Sequence, residues 1–330
     1  MTLRAILAVA AMAFVVGGCG SDGGGAASGE GGDVTLTLNW IPYGEHAPFY
    51  YGQQQGFYED EGIKLKIRPG NGSSRTVEQV AAGQTTVGWA DTPAMLLGAS
   101  NGMPIKSIGA FMQKGPSSIE YFAEQGIESP EDLKGKTVAG TPGDAMYASF
   151  PGWLEANGLS QDDVKVVNVD PAGKLAALIE GKADAIMGFF HDQGPTIENQ
   201  SGEQVDALMY SDWGMNLLGT GLVVNESTIE SNPDMLKGFV RATAKSWQAA
   251  SENPEAAADA MASMAEQEPP KEVLVKQLEL TLPMVVGDGM TPGVNEEAAW
   301  QETIKLMTDH VELDGPAEPA EYWDASFATG

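Results

Sequence analysis

The chain has 330 residues, a hydrophobic fraction of 42% and one cysteine. That length favours two domains of ordinary size, and a lone cysteine excludes a disulfide framework and a thiolate metal cluster. The formal charge of −28, from 46 acidic against 18 basic residues, argues against nucleic acid, which is bound by Lys and Arg neutralising phosphates, and against direct adhesion to anionic lipid.

Residues 1–18 carry Arg4, an apolar run and the small residues Gly17 and Gly18, the composition of a secretory signal peptide. The run is short for a membrane span. Gly17-Gly18-Cys19 resembles a bacterial lipobox, with Val16 where Leu is preferred. The pattern implies lipidation of Cys19 and a protein tethered on the outer face of the cytoplasmic membrane, or periplasmic. Residues 19–33 are rich in Gly, Ser and Ala and read as a flexible linker behind that lipid.

From Val34 the texture alternates between short strands and amphipathic helices. Strands are predicted at 34–40, 64–68 and 87–91. Between them lie a helix from Pro48 to Glu61, stopped by Gly62, and one capped by Ser73 or Ser74 with Val77 and Val80 on one face. A further helix opens at Thr92-Pro93. This β-α-β-α-β order implies a parallel sheet covered by helices. A second unit starts near residue 120, with a capping signal at 129–132 and strands at 137–140, 164–170, 183–190 and 206–212. Its helices follow 140–144 and span 172–181. Residues 219–224 read as a strand returning to the first unit, followed by helices over 233–251, 254–267 and 270–282. The last 45 residues show little pattern; Trp300, Tyr322 and Trp323 suggest a C-terminal wrap.

Two α/β lobes follow, with boundaries at 34–114 plus 220–330 for the first and 115–219 for the second. Two crossovers serve as hinges, and the ligand cleft lies between the lobes, beyond the carboxyl ends of the strands.

Residues 36–67, LTLNWIPYGEHAPFYYGQQQGFYEDEGIKLKI, with AAGQTTVGWADTPAML (81–96), EDLKGKTVAGTPG (131–143) and LIEGKADAI (178–186), carry a family resemblance. The chain resembles the extracytoplasmic solute-binding proteins of ABC importers, in the branch that binds nitrate, sulfonates, taurine or pyrimidine precursors of thiamine. The L-N-W-x-P core, His46 and the G-F-Y-x-x-E-G run are nearest the pyrimidine members. The resemblance implies a type II periplasmic-binding-protein-like α/β fold, no cofactor, and a monomer that delivers a small molecule to a permease driven by an ATPase. The same branch contains an enzyme that makes the thiamine pyrimidine from pyridoxal phosphate and one of its own histidines. Its cysteine run and its lysine after the third strand are missing here, where Gly88-Trp89-Ala90-Asp91 stands.

Asn39 and Trp40 close the first strand, so the indole either stacks on a flat ligand or belongs to the core. Trp89 shares a face with Asp91 and is open to the same two readings. Asp91 either caps the following helix or accepts N–H donors from a ligand. The turn with Thr141, Gly143 and Asp144 joins a strand to a helix, where backbone N–H groups favour anions, but Asp144 already supplies a negative charge. Glu45 and His46 face it from the first lobe. Of the adjacent Phe189 and Phe190 only one can wall the cleft; Phe190 is taken as that wall, His191 as a hydrogen-bonding tip and Trp213 as a closing residue. No arginine clamp for nitrate or sulfonate stands out, and Lys114 and Arg75 are the basic groups to watch. No metal-ligand spacing occurs. The expected ligand is a small planar nitrogen heterocycle, with an aromatic carboxylate, a flavin or a sulfonate, taurine or nitrate as alternatives.

Overall fold

The computed structural model describes residues 32–266 and 269–328. The signal peptide, Cys19 and nearly all of the linker fall outside the described residues.

The first sheet begins with β1 (Asp33–Thr37), whose chain then leaves the sheet instead of continuing to Trp40. After a 3-10 turn at Gly44–His46 come α1 (Ala47–Gln54) and α2 (Phe57–Asp60). The single helix expected over 48–61 is thus broken, because Gly56 takes φ 76°, a left-handed conformation that helical residues do not adopt. β2 (Lys64–Arg68), α3 (Ser73–Ala81), β3 (Val87–Asp91), α4 (Thr92–Ser100) and β4 (Ile105–Ala110) follow. The cap of α3 is Gly72 with no side-chain bond, so neither Ser73 nor Ser74 caps it.

The second sheet holds β5 (Ser117–Phe122), β6 (Thr137–Gly140), β7 (Lys165–Asn168), β8 (Ala185–Phe189) and β9 (Val205–Met209). Its helices are α5 (Ala145–Ala156), α6 (Pro171–Ile179) and α7 (Gln193–Ser201). The signal at 129–132 is a 3-10 turn closed by a reciprocal Ser129–Asp132 capping box. The chain returns through β10 (Thr220–Asn225) and ends in α8 (Glu226–Ser231), α9 (Pro233–Glu252), α10 (Pro254–Met264), α11 (Lys271–Val285) and α12 (Glu297–His310).

The strand orders are β2-β1-β3-β10-β4 and β7-β6-β8-β5-β9. In each sheet four of the five strands run the same way and one runs against both neighbours: β10 against β3 and β4, β5 against β8 and β9. That odd strand is in both cases the one arriving from the other sheet. The parallel strands end where the chain crosses over, so a strand entering there must run back. β3 is buried at all five residues, as a strand covered on both faces should be.

Trp89 is fully buried between Phe49, Phe111 and Trp247, with ring centres 4.9, 5.6 and 5.9 Å away. Trp300 stacks on Trp323 at 5.5 Å, and Ser107 N–H donates to Tyr322 O, which fastens the tail to β4. α12 also reaches the other side. A Cβ on Gly152 of α5 would sit 1.8 Å from the His310 carbonyl oxygen, and Thr303 Oγ1 accepts from Leu218 N–H in the second crossover at 3.0 Å.

Candidate functional site

The loop after β1 is shaped by two glycines. Gly72 N–H donates to Asn39 O at 2.8 Å and Gly70 N–H to Trp40 O at 2.9 Å. A Cβ on Gly70 would lie 1.8 Å from Leu38 O, so only glycine fits. This pair turns Asn39 and Trp40 out of the sheet toward the second lobe.

There they meet a cavity walled by Asn39, Trp40, Tyr43, Ser73 and Asp91 from one lobe and by Asp144, Met146, Lys174, Phe189, Asp192 and Gln193 from the other. The free volume is about 30 Å³, space for a water or two, since one water needs roughly 10–15 Å³ measured this way. The lobes are closed on each other, and a ligand enters only if they part.

Lys174 is the basic group that the sequence reading missed. It sits in the first turn of α6, which Asp170 caps by accepting from Gly173 N–H at 2.7 Å. Its side chain is 1% exposed, and its ammonium reaches Asp144 Oδ2 at 2.9 Å. The same nitrogen stands 5.6 Å from the Trp40 ring centre, within range of a cation–π contact. Lys114 and Arg75, the basic groups singled out above, are exposed and paired with Asp212 and Glu78.

Asp91 does not cap α4 with its side chain. Its carboxylate accepts from the Ser73 hydroxyl and from Thr220 Oγ1 at 3.1 Å. Burial pushes its pKa up to about 7 against the help of those hydroxyls, with the charges of Glu45 and Asp144 adding to the rise. Asp192 is likewise pushed up to about 7, first by burial. Its Oδ1 accepts from Gln277 Nε2 at 3.1 Å, and Gln277 Oε1 accepts from Gly44 N–H at 2.9 Å, so one amide on α11 ties both lobes.

Behind the cavity Glu45 gathers four donors: Trp89 Nε1, the Tyr43 hydroxyl, Asn39 Nδ2 at 3.5 Å and His191 Nε2 at 2.8 Å. Burial alone would raise its carboxyl, but the His191 hydrogen bond and charge, with His46 and Tyr43, outweigh that and hold it below the ordinary value. His46 Nδ1 accepts from Tyr43 N–H at 3.3 Å, so its Nε2 donates to Asn39 Oδ1 at 2.7 Å. Burial lowers its pKa to about 4 and keeps the ring neutral.

The residues expected at the cleft therefore divide. Asn39, Trp40, Asp91 and Asp144 line it. Glu45, His46 and His191 form the buried layer behind, and Trp89 lies deeper still, in the core. Gly143, at φ 97°, gives its carbonyl to Ser74 Oγ at 3.0 Å, while Thr141 Oγ1 is buried without a partner. Phe189 takes the wall position expected of Phe190, which turns instead to a separate groove. Trp213 packs on the core and its carbonyl accepts from Asn157 Nδ2 at 3.0 Å, away from the cavity. Tyr43, Ser73, Asp192 and Gln193 join the site without sequence warning; the acidic and amide pair at the end of β8 was the one available signal.

The chain is 30% identical to the riboflavin-binding protein RibY of Chloroflexus aurantiacus over 233 residues, 68% of this chain and 64% of that protein, so the match spans less than two thirds of that relative. It is 25% identical to the formylaminopyrimidine-binding protein of Halalkalibacterium halodurans, over 86% of this chain and 87% of that one. A 4-amino-5-hydroxymethyl-2-methylpyrimidine phosphate synthase of Legionella pneumophila is 29% identical over 68% of this chain and 71% of its own. Among solved structures, the alkanesulfonate-binding protein SsuA of Xanthomonas axonopodis pv. citri superposes with a TM-score of 0.67 at 16% identity, covering 88% of this chain and 98% of that one. The fold is thus the two-lobed α/β fold of the periplasmic binding proteins. The family model described as NMT1/THI5 like matches residues 44–257, from the Glu45 turn through both sheets, and the chain belongs to that family.

Proposed function

We propose that this protein is the solute-binding component of an ABC importer, that it catalyses nothing, and that its ligand is a small planar nitrogen heterocycle bearing both N–H donors and a carbonyl or ring-nitrogen acceptor. The lobes are 34–114 with 220–330, and 115–219. The carrying observation is the set of groups around one interlobe cavity: the Trp40 ring, the Lys174 ammonium, and the carboxyls of Asp91, Asp144 and Asp192. The indole suits a flat ring. The carboxyls call for N–H donors, and the ammonium calls for an acceptor. Lys174 extends the expectation from the sequence, which set Glu45, Asp91 and Asp144 beside His46 without a lysine or arginine. A sulfonate or nitrate would face three carboxyls with one ammonium and no guanidinium, a poor electrostatic match. The names of the riboflavin- and formylaminopyrimidine-binding relatives agree with this class.

Delivery to a membrane permease and its ATPase, a monomeric state, and anchoring by a lipid on Cys19 outside the cytoplasmic membrane complete the proposal. Pyridoxal phosphate does not fit the donor set: its phosphate would meet the same carboxyls, and the one lysine at the cavity is already held by Asp144.

Calorimetry and thermal shift with riboflavin, formylaminopyrimidine, hydroxymethylpyrimidine, an aromatic carboxylate, taurine, an alkanesulfonate and nitrate test the reading. A matching heterocycle at 100 times its Kd stabilises the fold by about 2.7 kcal/mol. Tight binding of a sulfonate with no response to any heterocycle would overturn it.

A further inference from the structure

A second opening of about 620 Å³ lies between α11 of the first lobe and the α7–β9 face of the second. Its size is that of a small-molecule site, typically about 300–1,000 Å³. The walls are apolar: Phe190, Val205, Met209, Leu280, Met284 and Met290. Methionines adapt to irregular shapes, and three of these six are methionine. The groove is separate from the cleft, since the start of α7 divides them: Asp192 and Gln193 face the cleft, whereas Gly194 and Pro195 face the groove.

Glu120 stands at the inner end. Its side chain is fully buried, Oε1 accepts from Ser118 Oγ at 3.3 Å, the Gly194 N–H faces the carboxyl, and Oε2 makes no well-formed hydrogen bond among the described residues. Gly194 beside it leaves the room open, since a Cβ there would stand 3.3 Å from Oε2 and 3.8 Å from Val205 Cγ1. Burial, then the neighbouring Asp192, pushes the Glu120 pKa up to about 8. A buried carboxyl oxygen without a full set of donors is unfavourable, and a ligand donor placed there would relieve it. At the rim Lys276 pairs with Glu198 and Lys114 with Asp212. Glu279 and Asp206 remain, without a paired cation among the described residues, so the mouth carries an acidic excess.

We propose that this groove is a second small-molecule site, one that takes a lipophilic amine, with its apolar body along Met209, Leu280 and Met284 and its ammonium directed to Glu120 Oε2. An apolar alcohol would leave the acidic mouth uncompensated, and a fatty acid would be repelled by it.

The test uses the full chain and three eight-carbon probes, octylamine, octanol and octanoate, titrated calorimetrically below their aggregation limits. Octylamine is expected to bind at least tenfold more tightly than the other two. Glu120→Gln should reduce that affinity at least tenfold. Ala207→Trp, which fills the groove from β9, should abolish it while leaving the response to heterocycles in the cleft unchanged; this variant carries the test if Glu120→Gln does not fold. Equal affinity for the three probes, no octylamine binding, or octylamine binding unaffected by Ala207→Trp would each overturn the site. None of these outcomes bears on the cleft ligand.

Discussion

Glu45 and His191 join the two lobes through a 2.8 Å contact in which neither side chain touches solvent. Removing one partner of such a pair typically costs about 3–5 kcal/mol, because the other is left buried and uncompensated. Glu45→Gln and His191→Gln should each lower urea stability by that order. The double variant should lose clearly less than the sum, as expected for groups in contact. Additive losses would show that the two residues act independently.

The buried carboxyls set a pH dependence. Asp91 and Asp192 keep their protons to about pH 7 in the folded chain, whereas the unfolded chain releases them near about pH 4. Between those values the native state binds more protons, so stability falls as pH rises through the window. His46, lowered to about 4, works the other way: the unfolded chain takes a proton below about pH 6.5 and the folded one does not. Glu120, pushed up to about 8, acts in the same sense as the two aspartates, so one histidine opposes three carboxyls with larger shifts and the melting temperature should be higher at pH 5 than at pH 8. Asp91→Asn should flatten that slope and raise stability at pH 8. A steady rise of melting temperature across the window would refute the assignment.

The two tryptophans of the first motif should separate cleanly. Trp40 is partly exposed on the cavity wall, and Trp89 is fully buried in an aromatic cluster. Trp40→Ala should abolish ligand binding while the ligand-free melting temperature stays within a degree or two. Trp89→Ala should cost about 3–5 kcal/mol of stability, the usual range for emptying such a core site. Lys174→Met should lose binding as Trp40→Ala does. A Trp40→Ala protein that unfolds as readily as Trp89→Ala would place Trp40 in the core.

Gly152 gives a fourth expectation. Gly152→Ala forces a methyl group to within 1.8 Å of the His310 carbonyl oxygen, backbone that moves only with the end of α12. Overpacking of this kind costs about 1–3 kcal/mol, and denaturant titration should show it. An unchanged midpoint would mean that α12 is free to shift at no cost.

Most of the alternating strands and helices were legible because their polarity follows the period of each element. The exceptions share a cause. β4 and β5 place Ser107, Ser118 and Glu120 where the fold buries them, at 2%, 0% and 0% exposure, so neither reads as a core strand. α7 opens with Gly194 and Pro195, residues that usually mark a loop. In the site, Asp91 and Asp144 were found because they lie at or just after strand ends, whereas Asp192, which follows the end of β8, was not. Lys174 was not, because it lies inside an amphipathic helix, where a lysine ordinarily marks the solvated face; only the closing of the second lobe onto Trp40 buries it. The choice between Phe189 and Phe190 depended on which face of β8 meets the first lobe, a tertiary fact with no local signature.

α12 gives the molecule a third link between its halves. Its first turns lie beside the stacked Trp300–Trp323 pair that is fastened to β4, its middle holds the second crossover through Thr303, and its end abuts α5 at Gly152. Two peptide connections by themselves would permit a free bend. With this helix laid across the joint, any separation of the halves must break or shift its contacts with one of them, which restrains the opening. Removal of the chain from Glu297 onward should therefore loosen the joint, giving a wider ligand-free envelope in X-ray scattering than the intact protein shows.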